Sequence, residues 1–133
     1  MPSRLLNENG GYGMYIASFT NTEVVEDRET KRLINVLFGR RQSVDCDLSV
    51  AVERAEPGGS FPAHSHDLEQ MFYVVQGKMQ VRVDDETEVL ETGAIVYVPR
   101  GSIHEGWNIG DGPLVYLVID HWPSDSEDRL GLD

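Results

Sequence analysis

Cysteine is almost absent from the chain. Cys46 is the only one among 133 residues, so no disulfide can form within the chain. Because disulfides accumulate in oxidising compartments, this favours a reducing compartment. Residues 1–13 also lack the basic start and apolar stretch of a secretory signal. We therefore expect a cytoplasmic protein. Asp45 and Asp47 flank Cys46 and disfavour its thiolate, so a catalytic thiol is not expected.

Long apolar runs and basic residues are also scarce. No stretch approaches the roughly 18 consecutive apolar residues that a membrane-spanning helix requires. Lys and Arg total 11 against 23 Asp and Glu, which gives a formal net charge of −12. Such a charge repels the phosphates of nucleic acids and the anionic surface of a membrane. Neither nucleic acid nor a membrane is expected as a partner.

Short apolar runs rich in Val, Ile, Leu, Tyr and Phe recur along the chain between clusters of Gly, Pro and Asp. This pattern is typical of an all-β sandwich or barrel, and the length suits one domain. The predicted strands are Leu33–Phe38, Leu48–Ala55, Gln70–Val75, Met79–Val83, Thr87–Leu90, Ala94–Val98, Ile103–Asn108 and Leu114–His121.

The two ends of the chain differ from its middle. Residues 1–32 show weaker periodicity and are predicted to form an N-terminal arm or edge strands, in position to cross to a partner subunit. A barrel domain is predicted over residues 33–122. Residues 123–133 are acidic with few apolar anchors, which predicts a flexible tail that frays in solvent.

Histidines in two separate stretches suggest a site. His64 and His66 are one residue apart in an extended segment, and since side chains alternate along a strand, both imidazoles face one side. Gln70 begins the next apolar run, and a turn between the two segments would bring its carbonyl oxygen to the same point. In the second stretch a strand ends at Pro99, and a turn leads to a strand that carries His104. A lone His-x-His pair is a weak signal, but the two stretches together are a strong one.

Both stretches resemble the two sequence motifs of the cupins. The second motif matches at Gly93, Pro99, Gly101, His104 and Asn108. The first matches at Gly58, His64, His66 and Gly77, with Gln70 where the family usually has Glu. The resemblance covers roughly residues 45–121 and implies a double-stranded β-helix, jelly-roll-like barrel that forms a homodimer. It also implies one divalent transition metal per chain, either zinc, nickel, manganese, iron or copper, on His64, His66, Gln70 and His104.

The glutamine at position 70 changes the expected charge of the site. Three neutral imidazoles and an amide oxygen leave a divalent ion its full charge, whereas Glu would neutralise part of it. We therefore expect a more Lewis-acidic metal. Glu69 is not expected to replace Gln70 as the ligand, because neighbouring residues of a strand face opposite sides.

Strand parity turns Phe72, Val74, Ser102 and Gly106 to the same side as the ligands, which predicts a mostly apolar pocket for a small molecule. A general acid or base must lie near the ion, and the sequence does not choose among its candidates. These candidates are Tyr97, Tyr116, His121, Glu53 and Asp120. Three arginines are candidate partners of an anionic substrate, although a solvated surface role is the default for each of them: Arg54, Arg82 and Arg100.

The ligand set is similar to that of cupins of pectin and uronate degradation, which act on unsaturated sugar acids. The likeness implies an enzyme that uses its metal to bind a small oxygen-rich metabolite and promote proton transfer, as a lyase or isomerase. Two alternatives stay open. One is a metal-dependent dioxygenase, which oxygen consumption would identify. The other is a non-catalytic small-molecule-binding or regulatory cupin, which would retain its metal without turnover.

Overall fold

A computed structural model of the protein describes residues 3–6, 12–39 and 46–126. Every regular element in these ranges is a β-strand. The strands are β1 (Ser3–Leu6), β2 (Tyr12–Ile16), β3 (Val24–Asp27), β4 (Arg32–Phe38), β5 (Leu48–Ala55), β6 (Ser60–His64), β7 (Glu69–Gln76), β8 (Lys78–Val83), β9 (Glu86–Glu91), β10 (Ile95–Val98), β11 (His104–Asn108) and β12 (Leu114–His121). None of the described residues belongs to a helix with the length and hydropathy needed to span a bilayer.

Two antiparallel sheets form the barrel. The larger has the strand order β10-β7-β12-β5-β4-β3, and the smaller has the order β6-β11-β8-β9. From β5 to β8 the chain alternates between the larger and the smaller sheet at each strand. This alternation gives the jelly-roll-like double-stranded β-helix, so the all-β fold expected from the sequence is confirmed.

The core lies between the inner faces of the two sheets. Phe72 and Val74 of the larger sheet pack in one cluster with Phe61, Met79 and Val81 of the smaller sheet. Because successive side chains of a strand face opposite sides, alternate residues of β7 enter this core as far as Val74. Gln70 has the same parity and is also buried. The side-chain amide of Gln70 therefore lies among apolar side chains of the core.

All eight predicted strands are present, and each end lies within one residue of the prediction. The sequence prediction missed β6, whose segment contains Pro62 after a pair of glycines. Proline lacks the N–H that a central strand needs, and it is tolerated here because β6 is an edge strand of the smaller sheet.

The chain ends extend the barrel. β3 pairs with β4 at the edge of the larger sheet, and β1 and β2 form a separate two-stranded sheet. The predicted tail over residues 123–133 falls partly outside the described residues, which end at 126. Residues 123–126, the described part of this segment, contact the barrel. Ser126 is buried and donates a hydrogen bond to the Asp67 carbonyl, and Asp125 lies 3.0 Å from the Arg100 guanidinium.

Candidate metal centre

Three histidines converge at one end of the smaller sheet. His64 and His104 are direct partners on the paired strands β6 and β11, so both side chains face the interior. His66 follows β6, and its carbonyl accepts a hydrogen bond of 2.9 Å from the Gly101 amide. Gly101 has a φ of 82°, a left-handed angle that favours glycine. The ligand-capable nitrogens of the three imidazoles lie within 4.8 Å of one another.

Hydrogen bonds to carbonyl groups set the tautomers of two imidazoles. His64 Nδ1 lies 2.6 Å from the Pro62 oxygen, and His104 Nδ1 lies 3.1 Å from the Ser102 oxygen. Since a carbonyl oxygen only accepts, each Nδ1 carries a hydrogen, and in the neutral form of each ring the lone pair is on Nε2. Burial lowers the pKa of His104, which keeps the ring neutral. Its Nε2 is buried and has no hydrogen-bond partner among the described residues.

Gln70 supplies a second buried atom of this kind. Its Nε2 donates a hydrogen bond of 2.7 Å to Asp120 Oδ1, and its Oε1 is buried with no partner in the described part of the chain. Leaving a buried acceptor unsatisfied costs about 1–3 kcal/mol. A cation that receives the lone pairs of Gln70 and His104 removes this cost. The donor set therefore fits a divalent transition metal.

A cavity of about 290 Å³ opens beside these groups. Phe61, Phe72 and Val118 form its apolar wall, and the polar side chains of His64, His66 and Gln70 also line it. Phe61 packs edge-on against two of the imidazoles, with ring centroids 5.7 Å from His64 and 5.9 Å from His104. The volume suits a small metabolite.

A charged pair also lines the cavity. Arg32 Nη1 lies 2.6 Å from Glu53 Oε1, and each side chain is 13% exposed. Tyr116 donates a hydrogen bond of 2.8 Å to the same oxygen. Burial, and then the charge of Glu53, raises the pKa of Tyr116 well above its usual value, so the hydroxyl stays protonated. Both groups hold Glu53 in one orientation.

The other acid–base candidates lie in different places. Tyr97 and His121 both contact Glu69 on the outer face of β7, and neither lines the cavity. Tyr116 lies in the core behind Glu53. Asp120 contacts Gln70, and burial raises its pKa against the opposing effect of its hydrogen bonds.

The three candidate arginines contact side chains outside the cavity and do not line it. Their partners are Asn35 for Arg54, Glu105 for Arg82 and Asp67 for Arg100. Arg32, which does line the cavity, was placed in the N-terminal arm by the sequence analysis. Its parity with Ile34 and Val36 was the available signal, because these residues share one face of β4.

The chain is similar in sequence to a known domain family and to a curated protein. The family model described as Cupin domain matches residues 51–120. An uncharacterised protein of Methanocaldococcus jannaschii is 30% identical over 96 residues, which cover 71% of this chain and 71% of that protein.

Solved structures show the same architecture. The polyketide cyclase RemF of Streptomyces resistomycificus aligns with a TM-score of 0.71 and 22% identity, over 86% of this chain and 82% of that one. KdgF of a Halomonas species aligns with a TM-score of 0.66 and 20% identity, over 82% and 94%. At these identities the likeness concerns the fold alone.

Proposed function

Because the chain belongs to the cupin family, we propose that it is a metal-dependent lyase or isomerase that promotes proton transfer on a small oxygen-rich metabolite. The observation that carries the proposal is the pair of buried lone pairs without a partner in the described residues, on His104 Nε2 and Gln70 Oε1. They lie beside the imidazoles of His64 and His66. These four side chains are the proposed ligands.

Glu53 is the proposed acid–base group. A bound divalent ion supplies Lewis acidity that stabilises negative charge on a substrate oxygen. Glu53 lines the same cavity, and both of its hydrogen bonds from Arg32 and Tyr116 end at Oε1. Oε2 is therefore the oxygen left for a substrate. Because Oε1 is held at two points, the carboxylate is oriented before the substrate arrives.

The proposed reaction begins with one proton transfer and then continues either as an isomerisation or as an elimination. Glu53 Oε2 takes a proton from a substrate carbon next to a carbonyl, and the C–H electron pair moves into an enolate. In the isomerase branch, Glu53 returns that proton to a neighbouring atom. In the lyase branch, the electron pair expels a leaving group from the adjacent carbon, and Glu53 gives its proton to that group. Phe61, Phe72 and Val118 line the cavity with apolar surface, which strengthens electrostatic interactions inside it.

Elemental analysis of purified protein tests the metal. We expect about one ion per chain in the wild type and a large loss in His64→Ala, His104→Ala and Gln70→Ala. His121→Ala is the matched control, because His121 contacts Glu69 outside the cavity. Full occupancy in His64→Ala and Gln70→Ala would remove the basis of the proposal.

Hydrogen exchange tests the chemistry. The metal-loaded protein is incubated in D₂O with a panel of sugar acids, hydroxy acids and keto acids, and loss of C–H signal is followed by NMR. Glu53→Gln should retain metal and lose exchange, whereas Glu69→Gln should keep both. Exchange that persists in Glu53→Gln contradicts its role. Oxygen uptake with the same panel would indicate a dioxygenase, and retained metal without any turnover would indicate a binding module.

The proposal includes a homodimer. Four large apolar side chains are exposed on the outer face of β7 and β10: Tyr73, Val75, Ile95 and Tyr97. A second copy of the chain that covers this face would remove it from water. Light scattering after gel filtration should give twice the chain mass for the wild type and a monomer for Tyr73→Glu. A monomeric wild type contradicts the assembly.

A further inference from the structure

A chain of hydrogen bonds fixes the orientation of the Gln70 amide. The indole Nε1 of Trp122 can only donate, and it donates to Ser49 Oγ over 3.2 Å. The Ser49 hydroxyl then donates its own hydrogen to Asp120 Oδ2, also over 3.2 Å. The amide nitrogen of Gln70 donates to Asp120 Oδ1 over 2.7 Å. Asp120 therefore accepts at both oxygens.

The β-sheet register produces this arrangement. Gln70 and Ser49 both lie directly opposite Asp120, on the strands that flank β12. Residues opposite one another in a sheet point to the same face, so all three side chains lie side by side on the inner face. The row continues the interior of the barrel next to the imidazoles.

The acceptor at Asp120 decides which end of the amide enters the site. The nitrogen and oxygen ends of a glutamine amide have nearly the same size, so packing does not distinguish them. Hydrogen bonding does, because an ionised carboxylate only accepts, and Asp120 receives the Ser49 hydroxyl at Oδ2 and the Gln70 amide nitrogen at Oδ1. The nitrogen must face Asp120, and the oxygen, which is the only end with a lone pair for a metal, is left buried without a partner among the described residues.

We propose that Asp120 is a positioning residue of the metal site. It presents the oxygen of Gln70 to the ion, and it places a negative charge one hydrogen bond away from the ligand. The charge that a glutamate at position 70 would bring into contact with the metal is thus moved one residue outward. The Gln70–Asp120 pair is equivalent in charge to a glutamate with an asparagine partner. This inference rests on the proposed metal site.

Zinc affinity, measured by competition with a chromophoric chelator, tests the pair. In Asp120→Asn the new amide can donate to Gln70 Oε1 and turn the Gln70 nitrogen toward the site, so we expect zinc affinity to fall about 10- to 100-fold. The Gln70→Glu/Asp120→Asn double variant restores an oxygen ligand, a hydrogen bond and the wild-type charge, and it should regain most of the affinity. Glu69→Gln removes the same charge on the outer face of β7 and should bind as the wild type does.

The outcomes separate this inference from the metal site itself. Wild-type affinity in Asp120→Asn, or a loss that the double variant does not regain, overturns the role of Asp120 while the wild type still binds zinc. A wild type that binds no zinc overturns both. Should Asp120→Asn not fold, melting temperatures of metal-free protein carry the test. Gln70→Glu alone sets two acceptors against each other and should melt below the double variant, and equal melting temperatures contradict the pairing.

Discussion

Gly106→Ala should destabilise the protein through one aromatic ring. A Cβ at Gly106 would lie 2.6 Å from Phe61 Cε1 and 2.7 Å from Cζ, distances that real Cβ atoms do not show. The ring has little room to move, because it is 5% exposed and packs against His64, His104 and Phe72. Overpacking of this kind costs about 1–3 kcal/mol. We expect the free energy of unfolding to fall by about 2 kcal/mol, or roughly 6–10 °C in melting temperature.

Urea unfolding of the metal-free protein measures this loss. Gly112→Ala is the matched control, because nothing lies within 4 Å of its Cβ, and its effect should stay within about 0.5 kcal/mol. Adding Phe61→Leu to Gly106→Ala removes the ring atoms that clash, so the double variant should be more stable than the sum of the two single effects predicts. A Gly106→Ala protein as stable as the wild type, or strict additivity in the double variant, would refute the reasoning. Zinc binding should also weaken in Gly106→Ala, since Phe61 supports two of the ligands.

Three further predictions concern pH, metal removal and a buried amide. Because burial, and then the Glu53 charge, raises the pKa of Tyr116 in the folded state, the unfolded chain loses this proton near pH 10 while the folded chain keeps it. This contribution to the free energy of unfolding is complete below about pH 10 and is lost as the pH rises above it. In urea unfolding, the free energy of unfolding of Tyr116→Phe should therefore fall less steeply with rising alkaline pH than that of the wild type. An equally steep fall in both proteins contradicts this. A metal ion whose free concentration is about 100 times its dissociation constant adds about 2.7 kcal/mol to the free energy of unfolding. Removing it with EDTA should therefore lower the melting temperature of the wild type by roughly 10 °C and leave that of His104→Ala unchanged. An equal drop in both proteins would show that the ion binds at another site. Asn108 is buried, and its side-chain amide donates hydrogen bonds to the carbonyls of residues 55 and 112. Asn108→Ala should therefore lower the free energy of unfolding by about 2 kcal/mol in urea, with an unchanged m-value. A neutral effect would show that those carbonyls find other donors.

The positions of most strands could be predicted because short apolar runs are separated by clusters of Gly, Pro and Asp. Leu48–Ala55 and Leu114–His121 were predicted to the residue. β6 was missed because Pro62 lowers strand propensity, and only its place at a sheet edge makes it acceptable. The pairing of β5 with β12 joins residues far apart in the chain, and nothing local encodes such a contact.

The site was partly visible in the sequence for the same reason. Parity placed His64 and His66 on one face, and the resemblance of the two stretches to the cupin motifs implied that His104 joins them. The structure brings the ring nitrogens of all three together. The hydrogen bond from the Gln70 amide to Asp120 depends on the register of β7 against β12, which the sequence does not predict. Arg32 was missed because a charged residue near a segment boundary is assigned to solvent by default.

The cavity wall is assembled from two separate parts of the chain. All four proposed ligands and Glu53 lie within the segment that matches the family, residues 51–120, whereas Arg32 precedes it. A substitution at Arg32 would therefore change the wall of the cavity and the support of Glu53 without replacing any of the four proposed ligands.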